Sequence, residues 1–263
     1  MQVLESGPAD APPLLLLHGG GVAGWMWQPL LERLGNRVRA IVPDLPGHGG
    51  SASTDYASHE GAADALERVL EERAPGGATV LGFSLGAQLA VLLTARRPEL
   101  VTDAVVVSAQ AKSIAMPQVT LAMLAAAAPL AKWRRFARLQ AKELFVPDEL
   151  LADYLEGSAA ISRATLVASV GENLRFRVPE GWARAPEAAD APPTALVVVG
   201  SEERAVMRDS ATVLHGSRAG SELLRVDGVG HGLPLQQPGL LALILEQRLA
   251  ARDGGSGPAH PLG

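Results

Sequence analysis

Short, continuous apolar runs alternate along the chain with longer segments in which alanine and leucine recur at helical spacing. Unbroken Val/Leu/Ile runs bounded by turn residues are typical of strands that are covered on both faces. Strands are predicted at 14–17, 38–42, 79–81, 104–107, 195–199 and 222–226, and helices at 27–34, 59–72, 85–96, 207–215 and 239–251. This alternation predicts an α/β fold in which helices cover both faces of a mostly parallel sheet.

Residues 110–182 break the alternation, because they are helical in character throughout and contain no good strand. We interpret this stretch as a helical cap inserted into a core formed by residues 1–109 and 183–253. Residues 254–263 are rich in glycine and proline and are predicted to be a disordered tail.

Length and composition narrow the classes of protein. A chain of 263 residues, 48% of them apolar, suits one α/β domain. Its formal net charge of -5 gives no basic excess for binding nucleic acid, and the absence of cysteine excludes disulfides and thiol chemistry. The N-terminal residues do not resemble a secretory signal, and the apolar runs are too short to cross a membrane. We therefore expect a cytoplasmic location without membrane binding.

The strongest local motif is Gly-x-Ser-x-Gly at residues 82–86, between a predicted strand and a predicted helix. Small residues on both sides of Ser84 allow a sharp strand-to-helix turn that exposes the hydroxyl at a helix N-terminus. An ordinary helix cap has the same local appearance, since serine is a favoured N-cap residue. The motif alone therefore indicates a nucleophile without proving one.

A serine nucleophile requires a base, and among the six histidines His231 fits best. It follows the last predicted strand and is flanked by glycines, whereas His59, His215 and His260 are interpreted as surface residues. The base in turn requires a carboxylate. Glu202 and Glu203 both follow the strand at 195–199, while Asp209 and Asp227 are weaker candidates.

Four motifs in this order resemble the α/β-hydrolase superfamily from about residue 14 to residue 245, and specifically its esterase-like serine hydrolases with a helical cap. The motifs are His18-Gly19-Gly20-Gly21, the run from Asp44 to Ser51, the turn around Ser84, and Gly230-His231 followed by Pro238. The order serine, acid, histidine also matches the superfamily. The resemblance implies a three-layer α/β/α fold with an eight-stranded, mostly parallel sheet.

The same resemblance assigns roles to individual residues. It places the acid three residues beyond Gly200, at Glu203, and forms the oxyanion hole from the backbone N–H groups of Gly20 and Leu85. Asp44 would brace a loop, and His18 and His48 would be structural members of their turns. Glycine at position 20 departs from the bulky residue often found there.

The predicted reaction is hydrolysis of a carboxylic ester by Ser84, His231 and Glu203 through an acyl-enzyme. Apolar cap side chains indicate a small, largely apolar substrate; they include Met116, Leu121, Met123, Leu124, Trp133, Phe136 and Phe145. Thioesterase, lactonase, C–C hydrolase, perhydrolase and lyase chemistry stay open, as do a ligand-sensing protein with slow turnover and a hydrolase whose glutamate fails to reach His231. We expect no cofactor, no metal, and a monomer or homodimer.

Overall fold

A mostly parallel sheet forms the centre of the computed structural model, which describes residues 1–112, 118–123, 133–184 and 195–252. The described strands are β1 Val3–Ser6, β2 Pro13–Leu17, β3 Arg39–Pro43, β4 Ala78–Phe83, β5 Val101–Val107, β6 Ala195–Gly200 and β7 Glu222–Val226. Their order is β1-β3-β2-β4-β5-β6-β7, and only β1 runs antiparallel to its neighbour. The carboxyl ends of β4, β5, β6 and β7 therefore meet at one edge.

Helices cover both faces of this sheet, as the alternating sequence predicts. The described helices are α1 Gln28–Leu34, α2 His59–Arg73, α3 Leu85–Arg96, α4 Arg134–Glu143, α5 Leu151–Ala160, α6 Arg163–Arg175, α7 Ala205–Gly216, α8 Leu233–Gln236 and α9 Pro238–Arg252. Residues 118–123 are also helical. The three-layer α/β/α fold class is confirmed.

Alternate residues of the apolar strands divide between two cores. In β2, Leu15 and Leu17 pack with α2, α3 and α7, whereas Leu14 and Leu16 pack with α1 and α9. Successive side chains of a strand point to opposite faces, so a strand covered on both sides must be apolar at every position. All four of these leucines are completely buried.

The strand count differs from the expectation of eight, because the described residues hold seven strands. Only β1 precedes β2, where the superfamily pattern places two strands. The link between them is a short turn in which Gly7 has φ 92° and the N–H of Ala11 donates to the carbonyl of Pro8 at 3.2 Å. It leaves no room for a further strand between β1 and β2.

The described part of residues 110–182 contains the helices α4, α5 and α6 and no strand. This agrees with the helical character of that stretch in the sequence. The predicted boundaries of core and cap stay predictions. The predicted tail at 254–263 lies outside the described residues.

Candidate active site

Ser84 occupies a sharp turn between β4 and α3. Its backbone has φ 52° and ψ -110°, a conformation that residues other than glycine rarely adopt. The neighbouring residues, Gly82 and Gly86, have to be glycine, because a side chain at either position would collide with the backbone. A Cβ atom on Gly82 would lie 2.2 Å from the carbonyl oxygen of Gly86, and one on Gly86 would lie 2.2 Å from that of Leu17. The motif therefore forms the tight strand-to-helix turn that its small residues predict.

A continuous chain of hydrogen bonds joins Ser84, His231 and Glu203. The Oγ atom of Ser84 lies 3.2 Å from Nε2 of His231, and Nδ1 of His231 lies 2.8 Å from Oε2 of Glu203. The glutamate side chain is completely buried, whereas the His231 side chain is 40% exposed. The structure thus brings together the three residues that the sequence places on separate loops, in the order that nucleophilic catalysis requires.

The loop after β6 positions the two candidate glutamates differently. Backbone bonds hold it against the β7–α8 loop, since Ser201 N–H donates to Val226 and Glu202 N–H donates to Val229. Arg208 also donates to the carbonyl of Glu203. As a result the Glu203 side chain is directed towards His231, and Glu202 is exposed.

The backbone N–H groups of Gly20 and of Leu85, the residue after Ser84, have no backbone acceptor within the described part of the chain. A Cβ atom on Gly20 would lie 3.8 Å from the Leu85 side chain, so the two residues are neighbours. That distance is an ordinary contact, and nothing near Gly20 requires glycine there. The two N–H groups are therefore available to a ligand bound at Ser84.

Comparison with known proteins identifies the family of this chain. A model of the alpha/beta hydrolase family matches residues 14–242. The chain belongs to the alpha/beta hydrolase family. The match includes the loops that carry Ser84, Glu203 and His231, which is consistent with the serine, acid, histidine order in the sequence.

Individual relatives match only part of the length of this chain. It is 40% identical over 98 residues to the magnesium-chelatase 30 kDa subunit of Rhodobacter capsulatus, covering 36% of this chain and 34% of that protein. It is 38% identical over 99 residues to the pimeloyl-[acyl-carrier protein] methyl ester esterase of Nitrosomonas europaea, covering 38% of each. The chain thus spans little more than a third of the length of these curated relatives.

Solved structures match this chain almost end to end. The enol-lactonase from Burkholderia xenovorans aligns with a TM-score of 0.77 at 18% identity, covering 95% of this chain and 96% of that one. An esterase from Exiguobacterium antarcticum aligns with a TM-score of 0.77 at 19% identity, covering 94% of each chain. At such identities the likeness establishes the fold.

Within the described residues, no helix has both the length and the apolar composition that crossing a membrane requires.

Two residues of the family motifs, His18 and Asp44, make hydrogen bonds within the fold. His18 is fully buried; its Nε2 accepts the N–H of Leu45 at 2.9 Å and its Nδ1 lies 2.7 Å from the carbonyl of Gly19. Burial, reinforced by the nearby His48, lowers the pKa of His18 to about 3. Asp44 accepts N–H groups from Gly24 and Gly50, each at 2.7 Å. These residues shape the loops beside the nucleophile, as the resemblance implied.

His59 corrects the sequence interpretation, which placed it on the surface. It is 4% exposed, its Nδ1 lies 2.9 Å from the Tyr56 hydroxyl and its Nε2 lies 2.8 Å from Oε1 of Gln88. Burial lowers the pKa of His59. The prediction was wrong because the first turn of α2 is covered by residues of α6, a contact that helical periodicity does not reveal.

Sequence reasoning also missed Ser108, the residue that follows β5. Its hydroxyl donates to Oε1 of Glu203 at 2.6 Å, and it is 2% exposed. No motif marks a serine after a buried strand. The only signal in the sequence was its position at the carboxyl end of a strand next to β6.

The predicted apolar cap residues have mixed environments. Leu121 is buried, whereas four larger side chains are 40–70% exposed: Met123, Trp133, Phe136 and Phe145. Met116 and Leu124 lie outside the described residues. The exposed side chains are not part of the core.

Proposed function

We propose that this chain is a serine hydrolase that cleaves a carboxylic ester through an acyl-enzyme, with Ser84 as nucleophile, His231 as base and Glu203 as acid. The observation that carries the proposal is the hydrogen-bond chain of 3.2 Å and 2.8 Å through these three side chains. Its members come from three separate loops, and an arrangement of this kind at a strained serine turn is typical of a catalytic site.

The geometry supports a two-step mechanism. The Ser84 hydroxyl donates its proton to Nε2 of His231 as its oxygen attacks the ester carbonyl, and the imidazolium then protonates the departing alcohol. Water repeats the sequence on the acyl-enzyme and releases the acid. Glu203 accepts the Nδ1–H of His231, which fixes the tautomer and stabilises the positive charge of the imidazolium.

Negative charge on the carbonyl oxygen needs donors, and the N–H groups of Gly20 and Leu85 supply them in this proposal. Both lack a backbone acceptor among the described residues; Leu85 directly follows Ser84, and Gly20 neighbours the Leu85 side chain. The N-terminus of α3 adds its positive dipole end at the same place. Removing one such donor typically costs about 3 kcal/mol of transition-state stabilisation.

Two kinds of observation favour an acyl ester as substrate. The partial relative from Nitrosomonas is named as a methyl ester esterase, and two structural neighbours are named as an esterase and an enol-lactonase. All three names refer to enzymes that act on an ester, of which a lactone is the cyclic form. We propose a small or medium, largely apolar acyl group, in keeping with the apolar composition of residues 110–182.

Hydrolysis of p-nitrophenyl esters from acetate to laurate tests the proposal. The wild type should turn over short and medium esters, and Ser84→Ala should lower kcat by at least about 1,000-fold, because no other group replaces the nucleophile. A fluorophosphonate should add covalently to the wild type and leave Ser84→Ala unlabelled by intact-mass measurement. Equal turnover by the two proteins would overturn the proposal, and binding of ester without product release would favour a sensing protein instead.

A further inference from the structure

Ser108 lies between the strand of the nucleophile and the strand of the acid. Its N–H donates to the carbonyl of Val198 in β6 at 2.9 Å, and the N–H of Ser84 donates to Val107, the residue before it, at 2.9 Å. The backbone around Ser108 is therefore hydrogen-bonded to β6 and to the nucleophile turn. A side chain at this position is well placed to contact the site.

The contact that Ser108 makes is with the carboxylate of Glu203. Its hydroxyl donates to Oε1 at 2.6 Å, a length typical of a hydroxyl bonded to a charged carboxylate. The N–H of Gly200 donates to the same oxygen at 3.2 Å, while the other oxygen, Oε2, contacts His231. Each carboxylate oxygen thus has its own partners within a completely buried side chain.

The backbone of Ser108 is held in a conformation that favours glycine. Its φ is 57°, and the other non-glycine residues with positive φ in the described part of the chain are Ser84 and Phe145. Strained residues persist where the surrounding structure fixes them, and they concentrate at functional sites. At Ser108, the residue with this strained backbone is also the one whose hydroxyl contacts Glu203.

We infer that Ser108 is a positioning residue, which holds the Glu203 carboxylate with Oε2 facing His231. This role rests on the proposed function, in which Glu203 stabilises the imidazolium. A glutamate has one more rotatable bond than an aspartate, so its carboxylate needs more restraint to keep one orientation. The Ser108 hydroxyl and the Gly200 N–H supply that restraint from two adjacent strands.

The positioning role of Ser108 predicts different effects on kcat and on KM. Without the hydroxyl, Oε1 keeps a single donor in a site closed to water, so the carboxylate can turn away from His231. Hydrogen bonds to buried charged groups are among the strongest in proteins. Losing this one should therefore slow the step in which His231 becomes positively charged. Because Ser108 is buried and its hydroxyl donates to Glu203, we expect kcat to fall while KM stays near its wild-type value.

Ser108→Ala and Ser108→Gly test this role in the ester assay. Both remove the hydroxyl, but glycine also relieves the positive φ, so a shared effect belongs to the hydroxyl. We expect kcat to fall about 10- to 100-fold in both variants, with KM within about twofold. The matched control is Thr94→Val, since Thr94 is a buried hydroxyl on α3 that donates only within its own helix, to Ala90 at 2.7 Å. Its kcat should change less than about twofold.

A second measurement asks whether Ser108 acts through Glu203. In a Glu203→Gln background, Ser108→Ala should change the rate of fluorophosphonate labelling by less than about twofold, because the charge that it orients is absent. The role would be overturned if the labelling rate of the double variant fell by the product of the losses in the two single variants. A wild-type kcat in Ser108→Ala, or recovery of wild-type kcat in Ser108→Gly, would also overturn it.

The outcomes separate this inference from the proposed function. A wild type that neither hydrolyses the esters nor reacts with the fluorophosphonate overturns both. An active wild type whose Ser108 variants match it overturns the positioning role alone. Loss of the folded state in both variants, measured by circular dichroism, would assign Ser108 to the fold and also overturn the role.

Discussion

Two adjacent glutamates after β6 lie in opposite environments. Glu203 is buried and accepts hydrogen bonds from Ser108, Gly200 and His231, whereas Glu202 is exposed. A carboxylate shielded from water acts more strongly on a nearby imidazolium than an exposed one, because water screens the interaction. The two glutamates are adjacent in the chain, but their different burial distinguishes them clearly.

Exchanging each glutamate for glutamine tests the acid at the residue scale. Glu203→Gln should lower kcat by about 1,000-fold or more, because an amide can hold His231 in the wrong tautomer and cannot neutralise its charge. Glu202→Gln is the matched control and should stay within about twofold of the wild type. Steady-state kinetics on the best p-nitrophenyl ester measure both, and equal rates in the two variants would contradict the assignment to Glu203.

Single residues could be predicted only where local chemistry marks them. Glycine spacing indicated Ser84, and flanking glycines indicated His231. Glu203 could be preferred over Glu202 only through the family resemblance, since both follow the same strand. Ser108 and His59 could not be found, because their roles depend on contacts between segments distant in the chain: Ser108 with Glu203, and His59 with Gln88.

Strands and helices followed their apolar patterns closely. The six predicted strands and five predicted helices all occur, with ends that moved by no more than three residues, as at β4 and β5. Buried strands have a strong pattern because both faces are covered, as in β6, where every residue is buried. The edge strand β1 has a weak pattern, since three of its four residues are exposed. The eighth strand that the resemblance implied is absent from the described residues.

The helix α6 is attached to the core at both ends by polar contacts. Near its start, Thr165 Oγ1 donates to Asp55 at 3.0 Å and accepts the N–H of Tyr56 at 3.1 Å. Near its end, Asn173 accepts from the side-chain amide of Gln88. Gln88 is fully buried on α3, one turn beyond Ser84, so this contact joins α6 to the helix of the nucleophile.

Gln88→Leu should weaken this attachment at the element scale. The change leaves the Nε2–H of His59 without its acceptor and the carbonyl of Gln110 without a donor that now lies at 2.7 Å. Unsatisfied buried polar groups each cost about 1–3 kcal/mol, so we expect the free energy of unfolding to fall by about 3 kcal/mol.

Urea unfolding measures that loss, and limited proteolysis should show earlier cleavage within residues 133–184. Gln140→Leu is the matched control, because Gln140 is exposed on α4 and should change stability by less than about 0.5 kcal/mol. A Gln88→Leu protein as stable as this control would show that the contacts around Gln88 contribute nothing net.

Across the whole molecule, three buried histidines share one electrostatic property. His18, His48 and His59 are each less than 5% exposed, and burial is the largest cause that lowers the pKa of each. Burial and the neighbouring His48 lower the pKa of His18 to about 3. Nearby carboxylates oppose the shift at two of the three histidines, since Asp44 raises the pKa of His48, and Glu172 and Glu60 raise that of His59. The folded chain therefore holds these rings neutral where an unfolded chain would protonate them.

This difference makes the stability of the protein depend on pH. A histidine in the unfolded chain binds a proton below about pH 6.5. Folded His18 does not bind one until about pH 3, so its contribution is fully present above pH 6.5 and is lost progressively as the pH falls towards 3. At pH 5 the loss from His18 alone is about 2 kcal/mol, and His48 and His59 act in the same direction.

Urea unfolding at pH 7.5, 6 and 5 measures the effect, and pH 5 lies above the range in which most carboxylates titrate. We expect the free energy of unfolding to fall by at least about 2 kcal/mol between pH 7.5 and pH 5, with an unchanged dependence on urea. His59→Gln removes one of the three rings and should make the fall shallower, whatever it does to stability at pH 7.5. A free energy of unfolding that stays constant down to pH 5 would contradict this account, because it would mean that the buried rings bind protons as readily as exposed ones.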